Sequence, residues 1–353
     1  MASLDWVQGL CTPSIWSSCF FSTLGTVNVT TGVVLVAFNT GPLLVDCIHS
    51  LLSSRGADLR ILVVDNGSSE DTAAVLAAGG LSDRLARYDV QPDNIDPGTV
   101  ALWSLGVNHG FAGGVNHGLR SFMGMADVDY IWILNPDAVA LPDTAAALET
   151  RARQLGSFGI IGGRVCYGAD QNIIQSDGGR VNRWTGICSL LNNRKQADQT
   201  AFPDEGDVDF VFGAHMFVSK KFIQKVGYMP EEYFLYYEET DWCLRRGDDP
   251  ELRLYLAPDA VVHHVGGASI GSKTTTQAVS PLSSYFMARS RMRFMRRYHP
   301  RALPFAFAYT AAKVVQLLVQ RNPGAAMACL RGLLGLPVPS TLRAKIGTNT
   351  VNV

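Results

Sequence analysis

Three groups of side chains in this 353-residue sequence could bind or move charge. Asp137, in the turn Asn135-Pro136-Asp137, is a candidate ligand for a hard cation such as Mg²⁺ or Mn²⁺. Such ions prefer carboxylate oxygen and readily bridge it to a diphosphate, whereas Asn135 offers only a neutral amide. Glu238-Glu239-x-Asp241 follows the aromatic run Tyr233-Phe234-Leu235-Tyr236-Tyr237 and opens a predicted helix. An aromatic wall beside acids suits sugar stacking and proton abstraction. Helix-dipole capping, or a salt bridge from Asp241 to Arg245 four residues on, accounts for the same pattern more simply. His263 and His264 stand at a strand end before Gly266-Gly267. Neighbours on a strand point to opposite faces, so at most one of them serves a metal or phosphate site.

These groups need a frame, and the apolar runs supply it. Val33–Phe38, Ile61–Val64 and Tyr130–Leu134 read as strands buried on both faces. Each ends in polar turn residues: Asn39, Asp65-Asn66-Gly67, and Asn135-Pro136-Asp137. Leu43, Leu44, Cys47, Ile48, Leu51 and Leu52 recur at helical spacing between the first two. This strand–helix–strand rhythm predicts a parallel sheet, with ligands beyond the carboxyl ends of its strands. Further helices are expected from Asp71, over Pro142–Arg153, Lys220–Val226 and Tyr237–Arg246, and from Ser284 onward. Further strands are expected near Ile160, over Val208–Val218 and over Ala260–His263.

Between the second and third of these strands lies Asn108-His109-Gly110-Phe111-Ala112-Gly113-Gly114-Val115-Asn116-His117-Gly118. Glycines admit close backbone approach to a ligand, and amides at a helix start favour a diphosphate; close packing on a neighbouring element explains the same glycines equally well. The segment lacks the GxGxxG spacing behind the first strand that a dinucleotide-binding oxidoreductase needs, and the Gly-Lys-Ser/Thr of a P-loop.

Hydrophobic residues make up 47% and charged residues 17%, as in a chain with a substantial core. The net charge of −1 hides a split: from Ala260 to Val353 there are twelve Lys or Arg and no Asp or Glu. Arg289, Arg291, Arg293, Arg296, Arg297 and Arg301 precede Phe305, Phe307, Val314, Val315, Leu317, Leu318 and Val319. Bases beside an amphipathic helix suit an anionic lipid surface, or a helix packed on the core. No recognition motif or interleaved stacking aromatics point to nucleic acid. Seven cysteines without a CxxC pair fit reduced, cytoplasmic thiols. The N-terminus lacks the basic start of a signal peptide, and no uninterrupted apolar run reaches spanning length.

From Val33 to His299 the sequence resembles the family 2 inverting glycosyltransferases, in particular their rhamnosyltransferase-like branch. The motifs VVDNGSSEDT, NHGFAGGVNHGL, ILNPDA, FGAHMFVSKKFIQKVGYMPEEYFLYYEETDWCLR and HHVGGAS stand in the family's order. The resemblance implies an α/β fold of GT-A type, a Rossmann-like, mostly parallel sheet flanked by helices. It divides the chain into a leader at 1–27, a glycosyltransferase domain at 28–270 and a basic helical extension at 271–353. Asn39 and Asp65 would then hold the nucleotide base and ribose, and Asn66, Asn108, Gly113, Gly114, Asn116 and Asn135 would line the donor site. Asp137 would carry Mg²⁺ or Mn²⁺, with His264 joining the metal or diphosphate. Glu239 takes the catalytic-base position, where the family often has Asp, and Glu238 and Asp241 would orient the base or acceptor. The implied reaction moves a sugar, such as rhamnose from dTDP-rhamnose, to a saccharide or polyprenyl-linked saccharide in envelope or exopolysaccharide synthesis. The implied location is the cytoplasm, peripheral to the inner membrane face. A nucleotidyltransferase and a non-catalytic sugar- or nucleotide-binding subunit are the alternatives.

Overall fold

A computed structural model of the chain describes residues 29–168, 170–265 and 279–347. The expected leader at 1–27, the boundary at 270/271 and Gly266-Gly267 lie outside the described residues. The first half alternates strand and helix: β1 (Thr30–Ala37), α1 (Pro42–Leu52), β2 (Asp58–Asp65), α2 (Thr72–Leu76), β3 (Leu85–Tyr88), β4 (Val100–Ser104), α3 (Gly110–Gly124) and β5 (Tyr130–Leu134). There follow β6 (Ala138–Ala140), α4 (Thr144–Leu155), β7 (Ile160–Tyr167) and the short strands β8 (Ile174–Ser176), β9 (Gly179–Val181) and β10 (Cys188–Leu190). The second half holds β11 (His215–Ser219), α5 (Lys220–Val226), α6 (Glu238–Leu244), β12 (Leu254–His264), α7 (Pro281–Tyr298), α8 (Leu303–Val319), α9 (Pro323–Leu333) and α10 (Ser340–Arg343).

The main sheet runs β3-β4-β2-β1-β5-β11-β7-β12-β6. Strands β3, β4, β2, β1 and β5 pair in parallel, as do β7 and β12. Antiparallel β11 joins the two parallel blocks, and antiparallel β6 closes the edge. The mostly parallel, helix-flanked sheet expected from the sequence is therefore present, with its C-terminal helices. β1 is buried at every position because helices cover both of its faces, which is why its sequence is continuously apolar.

Two local expectations change. Over Val208–Val218, regular pairing begins only at His215, although Val208, Phe210 and Val211 are buried. Their burial comes from a loop folded onto the core, and an apolar run alone cannot separate that from a strand. The Gly-rich segment from Gly110 is not a loop but the first turns of α3. A Cβ on Gly114 would lie 2.5 Å from Val36 Cγ1, and one on Gly118 would lie 2.5 Å from Val34 Cγ1. Glycine every four residues thus lets one face of α3 sit directly on β1.

Candidate active site

A cleft opens beyond the carboxyl ends of β1, β2 and β5, where a parallel sheet is expected to present its ligand. Its walls include Asn66 after β2, Asn108 and Gly110 before α3, and Asn135, Pro136 and Asp137 after β5. Phe234, Leu235 and Leu282 close its apolar side, and Lys345 and Ile346 reach it from the C-terminal segment. Asn66 and Asn108 hold each other: Asn66 Nδ2 donates to Asn108 Oδ1 at 3.1 Å and to the Gly110 carbonyl at 2.9 Å. Asn108 Oδ1 also accepts from Gly110 N at 2.8 Å. Gly110 has φ +77°, and a Cβ there would meet the Phe234 carbonyl at 2.6 Å, so this corner of the cleft requires glycine.

Behind the cleft lining, buried His264 places Nε2 3.0 Å from Asp137 Oδ1 and 3.1 Å from Asn135 Nδ2. His264 Nδ1 faces Gln175 Oε1 at 2.8 Å, which fixes the orientation of the ring. Gln175 is a residue the sequence did not single out, because its link to His264 is purely tertiary. An outer partner on one ring nitrogen is the usual way to orient a ligating histidine. The 3.0 Å spacing of Nε2 and Oδ1 also matches that of two adjacent ligands on one octahedral cation with bonds of about 2.1 Å. The donor set therefore fits Mg²⁺ or Mn²⁺. Among the described residues no cluster of three or more His, Cys, Asp or Glu forms, so diphosphate oxygens and water would complete the shell. His263, one position earlier, points to the other side and is half-buried.

The carboxylate trio on α6 separates into three environments. Glu239 is half-buried, and its side chain packs on Gly213, where an added Cβ would lie 3.4 Å from Glu239 Cγ. It is absent from the lining of the cleft, although Ala214, next to Gly213, accepts from Asn135 N at 3.0 Å. A single short loop therefore separates Glu239 from the Asn135 turn. Burial raises the pKa of Glu239. Glu238 is buried, with Oε2 unpartnered among the described residues; burial, and then the Glu239 charge, push its carboxyl well above the ordinary range.

Asp241 is fully buried and turned away from the cleft. It accepts from Tyr233 Oη at 2.6 Å, Arg245 Nε at 2.6 Å, Arg297 Nη1 at 2.7 Å and Tyr298 Oη at 2.8 Å. Burial opposes its ionisation, but the bonds from Tyr233, Arg245 and Tyr298 outweigh it and hold the carboxyl below its ordinary value. This geometry ties α6 to α7, and corrects the expectation that Asp241 orients base or acceptor directly. Phe234, Tyr236 and Tyr237, leading into α6, have φ between +65° and +74°. Side chains other than glycine persist in that region only where neighbours hold them. Here Phe234 stacks on Phe286 at 5.0 Å, Tyr236 Oη donates to Ser283 Oγ at 3.0 Å, and Tyr237 Oη donates to the Gly186 carbonyl at 2.5 Å.

Other expected donor residues sit elsewhere. Asn39 Oδ1 accepts from Ser69 N at 2.8 Å and ties two turns together on the surface. Asp65 accepts from Ser68 N and Thr72 Oγ1 and borders a separate hollow with Arg87, Tyr88 and Asp89. Asn116 is buried on the far side of α3, donating to the Met229 carbonyl at 2.8 Å. Gly114 serves the α3–β1 contact, while a Cβ on Gly113 would meet His109 Cβ at 2.5 Å, a clash within the helix's own first turn. None of Asn39, Gly113, Gly114 and Asn116 lines the cleft. Of the two readings open for these glycines, close packing on a neighbouring element is the one that Gly114 follows.

The model of the family "Glycosyl transferase family 2" matches residues 32–227. The chain is 26% identical over 199 residues to a low-salt glycan biosynthesis hexosyltransferase of Haloferax volcanii, covering 53% of this chain and 61% of that protein. It is 24% identical over 282 residues to an N-acetylglucosaminyl-diphospho-decaprenol L-rhamnosyltransferase of Mycobacterium tuberculosis, covering 73% of this chain and 84% of that protein. Among solved structures, a mannosyltransferase from Pyrobaculum calidifontis in complex with GDP-Man and Mn²⁺ aligns with TM-score 0.48 and 15% identity, covering 90% of this chain and 84% of that one.

Proposed function

The chain belongs to glycosyl transferase family 2, and from that premise we propose that it transfers a sugar, with inversion, from a nucleoside diphosphate donor to a saccharide carried on a lipid. The observation that carries this reading is Asp137, lining a cleft beyond the parallel strand ends with buried His264 Nε2 3.0 Å behind it. In it, Asp137 and His264 would hold a divalent cation, whose chemistry would be to offset charge growing on the departing diphosphate. Asn66, Asn108 and Gly110 shape the wall against which the donor lies, and Asp65, in its own hollow with Arg87 and Tyr88, takes the nucleobase and ribose. Phe234 and Leu235 exclude water from the sugar side.

Glu239 removes the proton from the acceptor hydroxyl, which attacks the anomeric carbon from the Gly213 side. A carboxyl whose pKa is raised by burial is better matched to a base working near neutral pH. Burial raises the carboxyl pKa of Glu238 further than that of Glu239, which makes Glu239 the more readily ionised of the two. The L-rhamnosyltransferase of M. tuberculosis, named for a decaprenol-linked acceptor, supports rhamnose as the sugar and a polyprenyl-linked acceptor.

A lipid-linked acceptor calls for access to a membrane. Among the described residues one helix, Pro300–Val319, is long and apolar enough to cross a bilayer by length and composition, and 22% of its most apolar window is buried. Ala306, Thr310 and Leu317 pack it on the fold, while Phe305, Val315, Leu318 and Val319 face outward beside exposed Arg301 and Arg321. Trp184 extends this patch, meeting Phe305 edge-on at 5.2 Å. These features support a helix lying in the interface of the cytoplasmic leaflet. Two arginines of α7 are used inside the fold: Arg291 is buried against Tyr237 and Thr310, and Arg297 is paired with Asp241.

The test is turnover with a panel of nucleotide sugars and Mn²⁺. Glu239→Gln should retain donor affinity and lose about 10²–10⁴-fold in turnover. Near-normal turnover by that variant refutes the base assignment, and donor hydrolysis absent from the wild-type protein for every nucleotide sugar favours a non-catalytic binding subunit.

A further inference from the structure

The C-terminal segment returns to the cleft across the whole chain. After α9 it passes Val338, forms α10, and buries Leu342 and Ile346 in one apolar cluster with Phe234, Leu282, Tyr285 and Phe286. That cluster also supports the aromatic loop leading to Glu238 and Glu239. Asn108 Nδ2 then donates to the Ile346 carbonyl at 2.9 Å, a bond between residues 238 positions apart. The effect is to hold Lys345 at the mouth of the cleft with its side chain exposed, among the same lining residues as Asn135, Pro136 and Asp137.

Charge then decides what that lysine does. Asp137 and Lys345 are the charged residues lining the cleft among the described residues. A nucleoside diphosphate brings several negative charges into a space that already contains Asp137, and one divalent cation offsets only part of the total. An ammonium group in a partly enclosed site is worth much more to such a ligand than one in open water. We propose that the C-terminal segment is part of the donor site, with Lys345 binding the donor diphosphate and the Asn108–Ile346 bond positioning the segment. This rests on the donor reading above. It also gives a role to one base of the acid-free C-terminal region that neither core packing nor the α8 surface uses.

The proposal predicts selectivity for the second phosphate. Binding of dTDP, UDP and GDP, each compared with its monophosphate, is measured by calorimetry with Mn²⁺ on the full-length wild type, Lys345→Ala and Lys345→Arg, and on a chain ending at Ala344. For whichever nucleotide the wild type binds, Lys345→Ala and the truncation should weaken diphosphate binding about tenfold while changing monophosphate binding less than about threefold. Lys345→Arg should restore most of the loss, and the Ala effect should shrink at high salt. Diphosphate affinity unchanged in Lys345→Ala, or increased by the truncation as for a segment that blocks the cleft, overturns this proposal alone. A wild type that binds none of the three diphosphates overturns the donor reading with it.

Discussion

Asp241→Asn separates scaffold from catalysis most sharply, because Asp241 and Glu239 lie two residues apart on α6 and are assigned opposite roles. The carboxylate of Asp241 is fully buried and accepts from two guanidinium groups and two tyrosine hydroxyls. Removing one member of such a buried pair costs about 3–5 kcal/mol when the partner is left without compensation. Here Arg245 and Arg297 are 29% and 42% exposed, so water recovers part of their solvation and the loss falls to about 2–4 kcal/mol. For a chain of this size roughly 1.5 °C of Tm accompanies each kcal/mol, so Asp241→Asn should melt roughly 3–6 °C lower. Its turnover at 25 °C, per folded molecule, should fall far less than that of Glu239→Gln, whose Tm should not decrease. The pH dependence has a definite sign. The Asp241 carboxyl is held below its ordinary value, so the wild-type advantage is present at neutral pH and disappears as pH falls through that depressed value. Differential scanning fluorimetry across pH and initial rates on the same preparations measure both quantities. An Asp241→Asn protein with wild-type Tm but turnover as low as Glu239→Gln would refute the reasoning, since Asp241 would then act on the reactants.

Two more measurements address parts of the fold away from the cleft. Glu149 is buried under β1, accepts from Thr31 Oγ1 at 2.8 Å, and has its pKa raised by burial to about 7. The folded form therefore binds a proton more tightly, and stability is full below about pH 4.5 and declines as pH rises through about 7. Glu149→Gln should be more stable than wild type at pH 8, by at most about 3 kcal/mol, with no advantage at pH 4.5; equal denaturation midpoints at pH 8 would contradict this. Replacing Phe305 and Val319 together by Asp should reduce co-sedimentation with phosphatidylglycerol liposomes by about tenfold or more without lowering Tm, and undiminished sedimentation would remove α8 from the membrane surface.

Much of the architecture was legible because it is written in short-range patterns. The runs Val33–Phe38, apart from Phe38 itself, Ile61–Val64 and Tyr130–Leu134 fall in β1, β2 and β5, and Lys220–Val226 is α5 to the residue. Polar turns at those strand ends placed Asn66, Asn135 and Asp137 on one rim, since successive parallel strands must present the same end together. Adjacent histidines on a strand could not both face the cleft, and His264 is the one beside Asp137.

What the sequence by itself determined about this protein is the order of its strands and helices along the chain and the polar residues at their ends. Tertiary structure decided the rest, because each remaining assignment depends on a partner far away in the chain. Gly114 and Gly118 look the same in sequence whether they admit a phosphate or a strand; Val36 and Val34 above them settle it. Asp241 reads as a third acid of a reactive cluster until Arg297 and Tyr298 arrive from α7, and Arg297 reads as a solvent-facing base until it meets Asp241. Lys345 carries no local signal, and acquires its position through a bond from Asn108. Backbone periodicity follows from steric and hydrophobic preferences within a few residues, whereas the energy of a buried charge depends on which distant groups surround it once the chain has closed.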